Sequence, residues 1–271
     1  MTGCLPPKFD IRDYSFKKKT AFTTNFPSEF SCKKNNRVKN QEQICSCVAH
    51  ATSTILENNC EEELSTNFIY GGQFYICNKE GKGMYLRDAC KIAQKYGDPL
   101  EKSCPGNDEV RKCYPIAKKA LDDEIILKEA KNYKIEFYVN LKTTDEIKYA
   151  LMTYGPVLAS IKWYSDTHLV RWFSNGKITD NVLTSSFQTD YSYHAIMIYG
   201  WNEIGFLIQN SWGKEWGDNG CAILPYGYKV EEARGLSREK EFTVYQKKNN
   251  KILNLIYKSI NFIVNLFYNK F

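Results

Sequence analysis

Gln41-Glu42-Gln43-Ile44-Cys45-Ser46-Cys47-Val48-Ala49-His50-Ala51 reads as a thiolate built at the start of a helix. From Val48 to Asn59 no Gly or Pro intervenes, and Val48, Ala49, Ala51, Thr52, Ile55 and Leu56 recur at helical spacing. Cys47 stands at the N-terminal edge of that pattern. Unpaired backbone N–H groups and the positive end of the helix dipole favour negative charge there, lowering a thiol's pKa and raising its nucleophilic fraction.

A thiol nucleophile needs a base, and the base needs a group that orients it. Both stand in one segment of the second half: Ser192-Tyr193-His194-Ala195-Ile196-Met197-Ile198-Tyr199-Gly200, then Phe206-Leu207-Ile208-Gln209-Asn210-Ser211-Trp212-Gly213. His194 opens the first apolar run and Asn210 closes the second, with Trp201-Asn202-Glu203-Ile204-Gly205 as the turn between them. The two runs are expected to pair as an antiparallel hairpin that brings His194 and Asn210 together.

Gln41 six residues before Cys47, the Ser46-Cys47 pair, His194-Ala195, and Asn210-Ser211-Trp212-Gly213 sixteen residues after His194 resemble, in order and spacing, the papain-like cysteine peptidases. The resemblance implies an α+β fold of two lobes, a mostly helical left lobe and an antiparallel β-barrel-like right lobe, with the active-site cleft between them. It also implies roles. Cys47 would be the nucleophile, His194 the acid/base, Asn210 the residue that fixes the imidazole, Gln41 an oxyanion donor, and Trp212 a shield over the His194–Asn210 contact. The implied reaction is hydrolysis of peptide bonds, as an endopeptidase. A catalytically silent papain-fold scaffold that binds peptides without cutting them is the alternative. Trp212 also reads as simple core, His50 as a buried hydrogen-bonded side chain, and Cys45, where the family has Gly, as a small inert residue or a redox partner of Cys47.

Gly81-Lys82-Gly83-Met84-Tyr85-Leu86 stands where the family pairs a Gly-Gly backbone with substrate. Gly83, Met84, Tyr85 and Leu86 are therefore the expected substrate-binding residues, together with Trp212. Met84 departs from the second Gly, and Tyr85 and Leu86 would supply apolar walls, so the expectation is an apolar or aromatic substrate residue beside them. Gln-x-Gln-aliphatic-x-Ser-Cys and Leu224-Pro225-Tyr226 are similar to the short-leader microbial and viral members more than to lysosomal cathepsins.

A chain of 271 residues, 43% hydrophobic, is long enough for two lobes over large cores. The net charge of +6 comes from dispersed Lys without an Arg-rich stripe interleaved with aromatics, so no nucleic-acid partner is expected; the partners are protein or peptide substrates. No metal or nucleotide motif is present, and no cofactor is expected. The start, Met1-Thr2-Gly3-Cys4-Leu5-Pro6-Pro7, has no basic stretch followed by an apolar run, as a secretion signal would. The expected location is cytoplasmic, or a virion if the source is a large DNA virus, at which the richness in Lys, Asn, Ile and Tyr hints. The disulfide that many relatives place before the nucleophile would fall on Ile44 and Gly81, so the ten cysteines are expected to be mostly thiols.

Residues 1–25 are expected to form a short leader, an extended latch along the cleft or a surface strap, since Pro6 and Pro7 oppose helix. Residues 26–248 then make the peptidase domain, with a left lobe over about 26–130 and a right lobe over about 131–248. Further helices are expected over 64–70, 86–96, a charged stretch ending at Ala130, and 145–153; strands are expected over 135–139 and 157–161. At 249–271, Lys and Asn spaced by three and four leave Ile252, Ile256, Ile260, Ile263 and Phe267 on one apolar face, reading as an amphipathic helix. Its uncharged part is too short to span a bilayer, so docking of 251–271 on protein or in the plane of a membrane is expected.

Overall fold

The computed structural model describes residues 3–8, 25–34, 36–77, 83–107, 109–174, 177–187 and 189–238. The amphipathic tail expected over 249–271 lies outside the described residues, as do residues 9–24 of the leader. The elements run in the order β1 (Phe30–Ser31), α1 (Cys47–Leu56), α2 (Thr66–Cys77), α3 (Leu86–Lys95), α4 (Val110–Asp122), α5 (Glu124–Ala130), β2 (Phe137–Leu141), α6 (Thr144–Tyr154) and β3 (Val157–Tyr164). Then follow β4 (His168–Ser174), β5 (Lys177–Thr184), β6 (Tyr191–Trp201), β7 (Gly205–Gln209), β8 (Cys221–Pro225) and β9 (Val230–Ser237). Helices fill the first half and strands the second.

The nine strands of the described residues join one sheet in the order β2-β9-β3-β6-β7-β8-β5-β4, with β1 added on β6. Among the strands of the described residues, only β5 and β8 meet in parallel, at Val182 and Ile223. Strand alternation sends one set of side chains into a core inside the sheet, where Val139, Val157, Ala159, Leu183, Ile196, Phe206, Ile208, Leu224 and Ala233 meet α6. A sheet whose strands nearly all point one face at a common core is the barrel-like lobe expected from the sequence. The other faces of β3, β6 and β9 contribute Leu158, Ala195, Met197 and Leu236 to a second core, shared with the helices.

Helix α1 stands at the junction. Every residue of it except His50 is buried, because it packs against α2 and α3 on one side and β6 on the other. A helix buried on nearly every face is an interior one, and its buried Thr52 and Ser53 hydroxyls are satisfied by the Val48 carbonyl and the Asp98 carboxylate. This places the N-terminus of α1, and Cys47 with it, between the lobes.

Two expectations needed adjustment. The helical pattern through Asn59 closes at Leu56 and tightens into a 3-10 turn over Glu57–Asn59. The charged helix ending at Ala130 is two helices, because the Asp123 carboxylate accepts hydrogen bonds from the Ile125 and Ile126 N–H groups and starts a new helix.

Candidate active site

Hairpin β6–β7 pairs Met197 with Gln209 and Ile198 with Ile208. That register carries His194 and the residue after Gln209 to the same end, and His194 Nε2 meets Asn210 Oδ1 at 2.7 Å. Both side chains are buried. His194 Nδ1, the nitrogen left over, has no hydrogen-bond partner among the described residues.

Helix α1 approaches from the opposite side. Cys47 Sγ accepts a hydrogen bond from the Ala195 N–H at 3.4 Å, one residue beyond the imidazole. Gln41 is held from two directions. Its backbone N–H donates to the Ser211 carbonyl at 2.9 Å, and the Ser211 hydroxyl donates to its Oε1 at 2.6 Å. With the oxygen so fixed, the amide Nε2 donates to the Ile44 carbonyl at 2.9 Å, in the turn before Cys47. One unbroken set of contacts thus links Gln41, Ser211, Asn210, His194, Ala195 and Cys47.

Trp212 lies over this set. Its ring centroid is 4.8 Å from that of His194 and 4.6 Å from that of Trp163, edge on, while Trp163 in turn stands 5.4 Å from His194. Indoles on two sides keep water from the His194–Asn210 hydrogen bond, which is stronger in a dry setting. The sequence motif contains Ser211 but does not show its contact with Gln41, and Trp163 carries no signal until the strand register sets it across from Ser192.

The cleft beside Cys47 is filled by the leader. Gly3 N–H donates to Cys47 Sγ at 3.2 Å; Met84 N–H donates to the Gly3 carbonyl and Leu5 N–H to the Met84 carbonyl, both at 2.9 Å; Cys4 N–H donates to the Tyr193 carbonyl at 3.3 Å. Further out, Arg87 Nη2 donates to the Lys8 carbonyl at 2.9 Å. Of the expected substrate-binding residues, Met84 and Gly83 therefore line the cleft. Gly83 has φ +118°, and a Cβ on it would stand 2.8 Å from the Gly3 carbonyl oxygen. Tyr85 precedes α3 as its N-cap, and the Leu86 side chain is wholly buried in the core shared by both lobes.

This cover reverses the electrostatics expected at Cys47. Burial pushes the thiol up to about 11, outweighing the Ala195 and Gly3 N–H groups that favour a thiolate. Burial likewise pulls His194 down to about 4, against the opposing pull of Asn210. Both shifts favour the uncharged forms, a thiol and a neutral imidazole. His50 is pulled down to about 4 for the same reason and bonds back to Ser46, its Nδ1 lying 3.0 Å from the Ser46 carbonyl.

All ten cysteines are free thiols. Among the described residues no cluster of three or more His, Cys, Asp or Glu side chains is arranged to hold a metal, and no helix is long and apolar enough to cross a membrane.

A family model described as papain family cysteine protease matches residues 26–242. An uncharacterized peptidase C1-like protein of Acanthamoeba polyphaga mimivirus is 25% identical over 226 residues, covering 76% of this chain and 66% of that protein. A cysteine protease of Blomia tropicalis is 23% identical over 245 residues, covering 83% of this chain and 63% of that protein. The matches thus span just under two thirds of the length of these two relatives. Among solved structures, xylellain, a cysteine protease from Xylella fastidiosa, superposes with a TM-score of 0.72 at 24% identity, covering 88% of this chain and 96% of the other. Procathepsin B S9 from Trypanosoma congolense does so with a TM-score of 0.62 at 13% identity, over 88% and 86%. At these identities the likeness to the solved structures is one of fold.

Proposed function

Since the chain belongs to the papain family of cysteine proteases, we propose that it hydrolyses peptide bonds as an endopeptidase through Cys47, His194, Asn210 and Gln41. The observation that carries the reading is the linked geometry: a 2.7 Å bond from His194 to Asn210 on a hairpin whose next residue touches the Cys47 sulfur.

With the cleft open to water, the desolvation that holds the pair neutral is relieved, and the proton passes from the thiol to the imidazole. The thiolate attacks the substrate carbonyl, forming a carbon–sulfur bond. The Gln41 amide and the Cys47 backbone N–H stabilise the developing oxyanion. Imidazolium gives its proton to the leaving amine, and water activated by the neutral imidazole then hydrolyses the thioester. Asn210 keeps the ring oriented throughout. An endopeptidase mode is supported by the leader, whose residues 3–8 run as extended chain from the sulfur out to Arg87, leaving room for several substrate residues on that side.

The leader acts in this reading as a latch. It presents the Gly3 N–H to Cys47 Sγ, and the Gly3 carbonyl is taken by Met84. A cytoplasmic or virion setting, reducing enough to keep the cysteines as thiols, is part of the same proposal.

The deciding experiment is intact-mass labelling with a peptidyl epoxide under reducing conditions, on the wild type and on Cys47→Ala, paired with turnover of a mixed fluorogenic peptide set. One adduct that disappears in Cys47→Ala, together with turnover, is expected. Labelling without any turnover would leave a peptide-binding scaffold as the better description.

A further inference from the structure

Among the described leader residues, the side chain buried deepest beside Cys47 is Cys4, which is 8% exposed. Its backbone is bracketed by the two lobes, pairing in parallel with Met84 and antiparallel with Tyr193. Beneath it lies the lobe-facing side of the sheet. There Ser160 of β3 sits between Ala195 of β6 and Glu232 of β9, so two small side chains stand next to a carboxylate.

The pocket is polar at its base. Ser160 is wholly buried, its hydroxyl has no hydrogen-bond partner among the described residues, and it lies close enough to act on the Cys4 thiol, whose own S–H donates to the Leu5 carbonyl at 3.3 Å. Glu232 also acts on Cys4 through space. Its Oε1 is engaged by Arg234, at 2.7 Å from Nε and 2.6 Å from Nη2. The ion pair removes the net charge that would call for a Lys or Arg side chain. A buried hydroxyl short of a partner penalises an apolar occupant, because filling the pocket with hydrocarbon removes water and replaces no bond.

Chain direction ties this pocket to the substrate. The leader offers Cys47 the N–H of Gly3; a chain laid in the opposite direction exchanges N–H for C=O along the same track and offers a carbonyl instead. The residue at the sulfur would then carry the scissile carbonyl, and its neighbour on the N-terminal side would take the place of Cys4. We propose that the pocket formed by Ser160, Ala195, Glu232 and Met84 selects, at the second residue before the scissile bond, a short side chain able to donate a hydrogen bond: Cys, Ser or Thr. This differs from the apolar or aromatic residue expected from Tyr85 and Leu86. The substrate half of the inference rests on the peptidase reading.

The test has two arms, both on the full chain. In the first, the rate of Cys47 alkylation, resolved by peptide mapping, is measured for Cys4→Ser, Cys4→Leu and Cys4→Phe. Cys4→Ser is expected to stay within about twofold of wild type, and the Leu and Phe variants to react at least about tenfold faster as closure weakens. Leu or Phe variants that react no faster than Cys4→Ser would overturn the pocket assignment without reference to catalysis. In the second arm, fluorogenic peptides varied at the second residue are offered to Gly3→Ala, with and without Ser160→Val. A preference of about tenfold for Cys, Ser and Thr over Leu and Phe, lost in Ser160→Val, is expected; a preference for Leu or Phe would overturn the inference. No turnover of any peptide while an epoxide still labels Cys47 would sink the peptidase reading, and the first arm would then decide the pocket alone.

Discussion

A Cβ built on Gly3 would stand 2.1 Å from the carbonyl carbon and from the oxygen of Cys45. No real side chain tolerates that approach, and both groups are backbone that cannot swing aside. Gly3→Ala is therefore expected to push the leader out of the cleft while leaving the core untouched, seen as Cys47 alkylation at least about tenfold faster, which corresponds to about 1.4 kcal/mol off the closed state. Unchanged alkylation would mean that the leader does not control access. At Gln41 the expectation concerns the reaction itself. Gln41→Ala should lower kcat by about 100-fold to 1,000-fold, the usual cost of one oxyanion donor, while iodoacetamide, which needs no oxyanion stabilisation, still reacts with Cys47. A parallel fall in both rates would point to a collapsed loop. Cys47, His194, Asn210 and Gln41, which the structure brings together, could be picked out from the sequence because each carries chemistry that few residue types supply. The role of Gly3 could not, because a missing side chain announces nothing until its neighbour is known.

Between residues 37 and 64 the segment bearing Gln41 is tied to the far end of α1. Glu57, wholly buried, accepts from Lys39 Nζ at 2.8 Å, from Arg37 Nη1 at 3.3 Å and from the Leu64 N–H at 2.8 Å. Lys39 also reaches the Leu64 carbonyl at 2.9 Å. Burial pulls the Lys39 ammonium down, but Glu57 and Glu63 outweigh it and the net shift is upward. Removing one partner strands the other charge, so Lys39→Met should destabilise by roughly 3–5 kcal/mol, measurable by urea unfolding; a loss below about 1 kcal/mol would show that Arg37 and water compensate. Elements followed the same logic of legibility. Helix α1 and hairpin β6–β7 announced themselves by period, whereas β4 and β5 did not, since their strands carry polar and exposed aromatic residues such as Arg171 and Trp172. The break between α4 and α5 was hidden too: Asp123 stands in the charged run 122–124, where a capping carboxylate looks like ordinary helix surface.

Across the whole molecule, pH acts through groups that burial holds neutral. His50 and His194 are both pulled to about 4, against about 6.5 in an unfolded chain. Between those values the unfolded state binds the protons and the folded state does not, so the two histidines cost stability progressively as pH falls from about 6.5 toward 4. Asp98, pushed well up by burial, acts with the opposite sign, losing stability as pH rises. The histidine contribution is isolated by comparing thermal unfolding at pH 7 and pH 4.5 in wild type and in His50→Gln. The variant is expected to show the smaller fall, and equal falls would remove His50 from the account.

Cys4 donates to Tyr193 of the sheet lobe and is flanked by the hydrogen bonds of Gly3 and Leu5 to Met84 of the helical lobe. A strap fastened at both sides does more than cover what lies beneath it. While it is engaged, neither lobe can separate without breaking bonds that belong to the other, and the molecule is expected to melt as one calorimetric unit. Released, as in Gly3→Ala, the lobes lose that fastening and keep the core they share around α1, and the heat-capacity peak should broaden, with a van't Hoff enthalpy below the calorimetric one.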